Sequence, residues 1–244
     1  MLELKNISFN VGPDGGTKEI IKDVSFRVPE NRLCVITGPN GGGKSTIAKL
    51  IAGIEKPSEG NIFFKGEDIT PLNVTERAKK GIGFAFQQPV RFKGINVIDL
   101  LRIASGKQLS VADACGYLSS VGLCARDYID REINANLSGG ELKRIEIATV
   151  LARKTSLSVF DEPEAGIDLW SFQKLIDVFR KLRSSIEGSS IIIISHQERI
   201  LDIADEIIVL KSGTIERMGP KEKILPVLIG TSSAVGNCKI AEDN

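Results

Sequence analysis

Cysteine is scarce in this chain, with four residues in 244, and those present (Cys34, Cys115, Cys124 and Cys238) are scattered. No two stand in Cys-x-x-Cys spacing and none has a histidine nearby, which excludes a cysteine metal or cluster site and a disulfide framework and leaves reduced, structural thiols. Charge of one sign is not in excess either. Thirty-two Lys and Arg stand against 31 Asp and Glu, a net +1, so no global field draws the chain to nucleic acid or to an anionic membrane. No apolar run approaches the roughly 20 residues that cross a bilayer, and Met1-Leu2-Glu3-Leu4-Lys5 lacks the basic and apolar regions of a signal peptide. The expectation is a cytoplasmic protein with no nucleic-acid partner and no direct membrane insertion, any membrane contact coming through a partner. Internal repeats and low-complexity segments are absent. Histidine occurs once, at His196.

What is present is ordinary for a globular α/β protein: 42% hydrophobic and 26% charged residues. The length fits one large domain, or one domain with a subdomain inserted. Leu2, Leu4, Ile7 and Phe9, then Ile20, Val24, Phe26 and Val28, recur near a two-residue period around turn residues 11–16. These are expected strands of an antiparallel sheet, continued by residues 62–64. Residues 33–37 form an apolar run leading into a glycine loop, as a buried parallel strand does. Ile47, Leu50, Ile51 and Ile54 then follow helical spacing, with Pro57 as the expected stop. Residues 90–155 are helical in pattern, through Val97, Leu100, Leu101 and Ile103, then Leu118, Val121 and Leu123. Parallel-strand patterns return at 157–160, 191–195 and 207–210. Between the first two, an amphipathic helix turns Phe172, Leu175, Ile176, Phe179, Leu182 and Ile186 inward. The alternation is that of a doubly wound α/β fold. The expected organisation is a nucleotide-binding core with an antiparallel β subdomain (1–89 and 156–222), a helical subdomain (90–155) and a small, polar tail (223–244).

Gly38-Pro39-Asn40-Gly41-Gly42-Gly43-Lys44-Ser45-Thr46 matches G-x-x-x-x-G-K-S/T. Phosphates need a concave row of backbone N–H groups, which side chains on the loop would obstruct. The helix that follows points its positive end at the anion. Lys44 is placed for the β- and γ-phosphates of a nucleoside triphosphate, and Ser45 for Mg²⁺. Leu157-Ser158-Val159-Phe160-Asp161-Glu162 is an apolar strand ending in two acids. Its carboxyl edge is where open α/β sheets bind ligands, so Asp161 is the expected Mg²⁺ ligand and Glu162 the general base for an attacking water. His196 follows four isoleucines and Ser195. At a strand end it is placed to meet the γ-phosphate and help orient the Glu162–water pair.

Leu137-Ser138-Gly139-Gly140-Glu141 adds a narrower meaning, because it resembles the signature of the ATP-binding-cassette (ABC) ATPases. The other motifs resemble the same family in the same order. Gln87, after Gly83-Phe84-Ala85-Phe86, corresponds to the glutamine-loop residue that reaches Mg²⁺ and the attacking water. Gln87 is preferred over Gln88 because it follows the aromatic directly. Ala165-Gly166-Ile167-Asp168 stands where the D-loop stands, and His196 matches the histidine switch. The resemblance spans about Leu2 to Pro220. It implies a P-loop NTPase fold of ABC-ATPase type, a mixed core sheet with an antiparallel β subdomain and an inserted helical subdomain. It also implies ATP and Mg²⁺ as ligands and an ATP-dependent homodimer. In such a pair Ser138, Gly139 and Gly140 of one chain cover the ATP held by the other.

The family's adenine-stacking aromatic is missing. Val11 holds its place, no Tyr or Trp lies near, and alternation is expected to turn Phe9 into the core. Residues 84–90, 128–134 and 143–147 resemble the ATPase subunit of the SUF iron–sulfur cluster assembly system, the SufC type, which carries Lys-Arg-x-Glu after its signature as Lys143-Arg144-Ile145-Glu146 does here. That resemblance implies a soluble scaffold partner. Pro163-Glu164 is more like transporters and implies the alternative, a membrane permease. In either case the partner is expected near Arg91 to Ile103. A DNA-repair ATPase is excluded because no coiled-coil insertion divides the chain.

Overall fold

The computed structural model describes residues 1–12, 18–134, 136–185 and 188–235. Two sheets organise it. The first is antiparallel, in the order β2 (Lys18–Val28), β1 (Leu2–Val11), β4 (Glu59–Phe64) and β5 (Glu67–Asp68). Leu2 and Leu4 point into the core and so does Ile7, a break in the two-residue period. The cause is a bulge: pairing with β2 shifts register between Leu4 and Ile7. Asn6 there adopts φ 49° and donates from Nδ2 to Asp23 Oδ1 at 2.8 Å.

The second sheet has the order β10 (Thr214–Pro220), β9 (Glu206–Lys211), β3 (Leu33–Thr37), β8 (Ser190–Ile194), β7 (Leu157–Asp161) and β6 (Ile82–Ala85). Pairings from β9 to β6 are parallel, and β10 closes the edge antiparallel. Strands β3, β7 and β8 are buried at every residue, as their continuous apolar runs require. Alternate side chains go to opposite faces and enter separate hydrophobic clusters. Leu33, Val35, Ile191 and Ile193 join one, and Cys34, Ile36, Ile192 and Ile194 join the other.

Helix α1 (Lys44–Ala52) packs Ile47, Leu50 and Ile51 into the second cluster, with the antiparallel sheet. It ends earlier than its apolar spacing predicts. Gly53, at φ 77°, returns its N–H to the carbonyls of Leu50 and Lys49, so a left-handed glycine stops the helix before Pro57 and leaves Ile54 outside it, exposed. The short α2 (Val74–Lys79) follows, with an Asn73–Glu76 capping box. Its Arg77 is fully buried and reaches back to α1. The guanidinium donates to the carbonyls of Leu50 at 2.6 Å, Ile51 at 3.0 Å, Leu72 at 3.0 Å and Thr70 at 3.2 Å. Two of those belong to the last turn of α1, whose carbonyls have no partner within the helix.

Helices α3 (Val97–Ser105), α4 (Val111–Ser120), α5 (Ala125–Tyr128) and α6 (Gly139–Arg153) build on the first cluster. In α3, Val97 and Leu101 face inward, which leaves Ile103 on the outer side, 66% exposed. Helix α7 (Leu169–Ser185) buries Phe172, Leu175, Ile176, Phe179 and Leu182 as its periodicity predicts. Ile186 lies outside the described residues. After α8 (Glu198–Asp202), the stretch expected to be a polar tail begins as helix α9 (Lys221–Val235), anchored by buried Ile224. Among the described residues, no helix is long and apolar enough to cross a membrane.

Candidate functional site

The parallel strands deliver four loops to one carboxyl edge. From β3 comes the glycine loop, from β7 the acids, from β8 His196, and just beyond β6 Gln87. Gly38 leaves β3 at φ 137°, and a Cβ there would stand 2.0 Å from the carbonyl oxygen of Leu210 on β9. No other residue fits so close to neighbouring backbone. Gly43, at φ 99°, then turns the chain into α1 without a side-chain cap. The first N–H groups of α1 are left for an anion.

A cavity of about 610 Å³ opens over this loop. Asn40, Gly41, Gly43, Lys44, Ser45 and Thr46 line it together with Gln87 and Glu162. Lys44 is folded over the loop, its Nζ donating to the carbonyls of Gly38 and Pro39 at 2.9 Å each. Ser45 donates its hydroxyl to Asp161 Oδ1 at 3.0 Å. Asp161 is almost completely buried, and that burial raises its carboxyl pKa more than the Ser45 bond lowers it. A buried acid beside a hydroxyl is an oxygen-donor pair of the kind small, hard divalent cations take. Gln87 Nε2 donates to Glu162 Oε2 at 2.6 Å. It is therefore Gln87 rather than Gln88 that meets the second acid. Glu162 itself sits at φ 45°, in the left-handed region, its N–H held by the Ile194 carbonyl at 3.0 Å. Non-glycine residues in that region gather at functional sites.

Not every expected residue lies in this cavity. His196 is exposed and lines a neighbouring cavity of about 420 Å³ with Thr37, Gly38 and Glu198, under Leu225 and Leu228 of α9. Ser138, Gly139 and Gly140 do not line the cavity over the glycine loop of their own chain. Ser138 caps α6 instead, accepting the Glu141 N–H at 3.2 Å while Glu141 accepts the Ser138 N–H at 2.7 Å. The Glu141 carboxylate also accepts the Tyr128 hydroxyl, which lowers its pKa and raises that of Tyr128. Gly140 approaches the D-loop closely, since a Cβ on it would lie 2.9 Å from the Gly166 carbonyl. Asp168 starts α7, accepting the Ser171 N–H at 3.0 Å.

Several residues at the site were not foreseen from the sequence. Lys18, Ile20 and Lys22 of β2 line the main cavity. Their alternate positions on a strand place them on one face, Glu19 between them also reaches the cavity, and nothing in the local sequence pattern places that strand over the glycine loop. Val11 and Phe9 both line an adjoining cavity of about 530 Å³ that also reaches Thr46. Phe9, expected in the core, is only half-buried. Glu164, taken only as a family marker, accepts the Ser195 hydroxyl behind the acids, and burial raises its pKa. Lys143 and Glu146 of α6 are buried against the glutamine loop.

Comparison with known proteins follows the same lines. Residues 21–165 match a family model described as ABC transporter. The chain is 40% identical, over 85% of its length and 86% of the relative's, to an uncharacterised ABC transporter ATP-binding protein of Methanocaldococcus jannaschii. It is 33% identical, over 86% of its length, to a sulfate/thiosulfate import ATP-binding protein of Bacillus cereus, of which it spans 59%. A spermidine/putrescine import ATP-binding protein of Mesoplasma florum is 32% identical over the full chain, 69% of that relative. Among solved structures, a dimeric ATP-binding cassette in a post-hydrolysis state with ADP and phosphate superposes with a TM-score of 0.81. That match has 25% identity and covers 91% of this chain and 99% of that one. With the loop, the paired acids and the glutamine on one sheet edge, and with relatives matching along most of its length, the chain belongs to the ABC transporter family.

Proposed function

We propose that this chain is an ATP-hydrolysing, nucleotide-binding subunit that works as an ATP-closed pair and drives a membrane permease. The observation that carries the catalytic part is the convergence of Lys44, Ser45, Gln87 and Glu162 at one cavity, with Asp161 buried behind it and bonded to Ser45.

The triphosphate of ATP lies along residues 38–46, on backbone N–H groups and the positive end of α1. Lys44, already turned over the loop, exchanges its carbonyl acceptors for phosphate oxygens. Ser45, Asp161 and Gln87 are the residues that would hold Mg²⁺, which when bound offsets the phosphate charge. Glu162 takes a proton from water as the water oxygen bonds to the γ-phosphorus and the bond to the ADP oxygen breaks. General-base transfer of this kind usually contributes about 10²–10⁴-fold in rate, and Gln87 steadies the Glu162 carboxylate for it. His196 stands at the next strand end to bind the γ-phosphate. Ser138, Gly139 and Gly140, which lie off their own chain's cavity, cover the nucleotide of the partner, with Asp168 at the contact. The dimeric cassette structure supports such a pair.

The transporter names of the relatives favour a permease as the partner, with the subunit on the cytoplasmic side of the membrane. A second reading, a soluble SUF-type scaffold in iron–sulfur cluster assembly, is favoured by one observation, the Lys143-Arg144-Ile145-Glu146 run. Glu162→Gln tests the chemistry: hydrolysis should fall by about 10²–10⁴-fold with ATP binding kept, and a dimer should persist in ATP on size exclusion. Wild-type turnover in that variant would end the assignment. Affinity capture of Glu162→Gln from native lysate, with proteins identified by mass spectrometry, decides the partner. A multi-span membrane protein supports the permease, and a soluble scaffold pair overturns it.

A further inference from the structure

Lysine is rarely buried without reason, and Lys143 is buried completely, its side chain 1% exposed. Removing an ammonium from water costs several kcal/mol, and burial pulls its pKa down. An apolar residue would pack at this position on α6 without that cost. What Lys143 gains is contact with three backbone carbonyls, two from the glutamine loop and one from the end of β7. Its Nζ donates to the Phe86 carbonyl, to that of Gln87 at 3.2 Å and to that of Asp161 at 3.4 Å. Its counter-charge is Glu146, one turn further along α6, at 3.5 Å. Glu146 in turn accepts the Phe86 N–H through Oε1 at 2.8 Å. The pair therefore grips both backbone polar groups of Phe86.

These contacts close a ring through the chemistry. Lys143 holds the backbone of Gln87, whose side chain bonds the Glu162 carboxylate at 2.6 Å. Glu162 follows Asp161 in the chain, and the Asp161 carbonyl returns to Lys143. One ammonium thus fixes both ends of the Gln87–Glu162 contact. The helix carrying it begins at Gly139, within the Ser138–Gly140 run proposed to cover the partner's nucleotide.

We propose that Lys143 and Glu146 form a positioning pair that sets Gln87 against Glu162 and ties that contact to the start of α6. The inference rests on the hydrolytic reading given above and assigns it residues beyond those touching the nucleotide. A displacement of the order of 1 Å at reacting groups costs roughly 10²-fold.

The test is a double-mutant cycle on ATP turnover. Lys143→Met should lower kcat by about 10- to 100-fold, with KM for ATP and binding of a fluorescent ATP analogue within about twofold. In a Gln87→Ala background the same substitution should cost less than about threefold, because the residue it acts through is gone. Lys143→Met with Glu146→Gln removes both buried charges and keeps an acceptor for Phe86. It should show the same non-additivity if the single variant folds poorly. Equal losses in both backgrounds, or a loss confined to ATP binding, would overturn the positioning role. Failure of the hydrolytic reading looks different: Gln87→Ala and Glu162→Gln would then leave wild-type turnover intact.

Discussion

Replacing Arg77 by methionine removes a planar, charged group from the end of the helix that carries Lys44 and Ser45, and fills only the part of the space that the arginine's aliphatic stem occupied. Four hydrogen bonds to backbone carbonyls are lost, two of them in the last turn of α1, where Leu50 and Ile51 are themselves fully buried. The Leu50 oxygen then keeps only the Gly53 N–H at 3.3 Å, and that of Ile51 has no water to turn to. A hydrogen bond from a charged group is worth about 1.5–3 kcal/mol, and each buried acceptor left unpaired costs about 1–3 kcal/mol. Against this, methionine spares the burial of a charge, whose cost already pulls the guanidinium's pKa down. The balance is a loss of about 3 kcal/mol, or roughly 6–12 °C in Tm for a chain of this size. Thermal unfolding followed by circular dichroism measures it directly. Arg77→Lys keeps the charge but not the fork, so it should fall between the two. A drop below about 2 °C for Arg77→Met would show that the α1 carbonyls find other partners and that the guanidinium is not their cap.

Gly38→Ala should weaken binding of a fluorescent ATP analogue by at least about 100-fold with the fold kept, because the new Cβ collides with the Leu210 carbonyl; near-normal affinity would refute that contact. Tyr128→Phe should raise the Glu141 pKa toward its ordinary 4.5 and cost about 1 kcal/mol at neutral pH. The depressed pKa of folded Glu141 stabilises above 4.5, and that stability is lost as pH falls through the folded value. Urea midpoints of wild type and variant should therefore differ at pH 7 and converge in the window below 4.5; a constant gap would argue against the bond.

The sheet edge was legible in the sequence because each motif there demands particular residue types beside an apolar run. Buried parallel strands read as continuous Ile, Val and Leu, so Asp161, Glu162 and His196 stood out as polar residues at their ends. Legibility failed where the deciding contact was long-range and polar. Arg77 and Lys143 lie on helices, where a lone cation is most often solvated, and only the fold shows that backbone carbonyls surround them. The cavity-facing lysines of β2 come from the other sheet, which no local pattern places over the glycine loop. Helix α1 stopped at Gly53 because a backbone dihedral decided the matter before the hydrophobic spacing could.

The alternation of side chains along β3, β7 and β8 means that the central sheet is a partition. Helix α1, with the phosphate loop at its head, draws its packing from one compartment, through Ile47, Leu50 and Ile51. Helix α6, headed by Ser138, draws on the other, through Leu142, Ile145 and Ile147. The glycine loop and the Ser138 end of α6 are thus supported separately. A softened core on one side leaves the opposite face its footing, so under the function proposed above a variant should lose the cover it gives a partner's nucleotide while still holding its own.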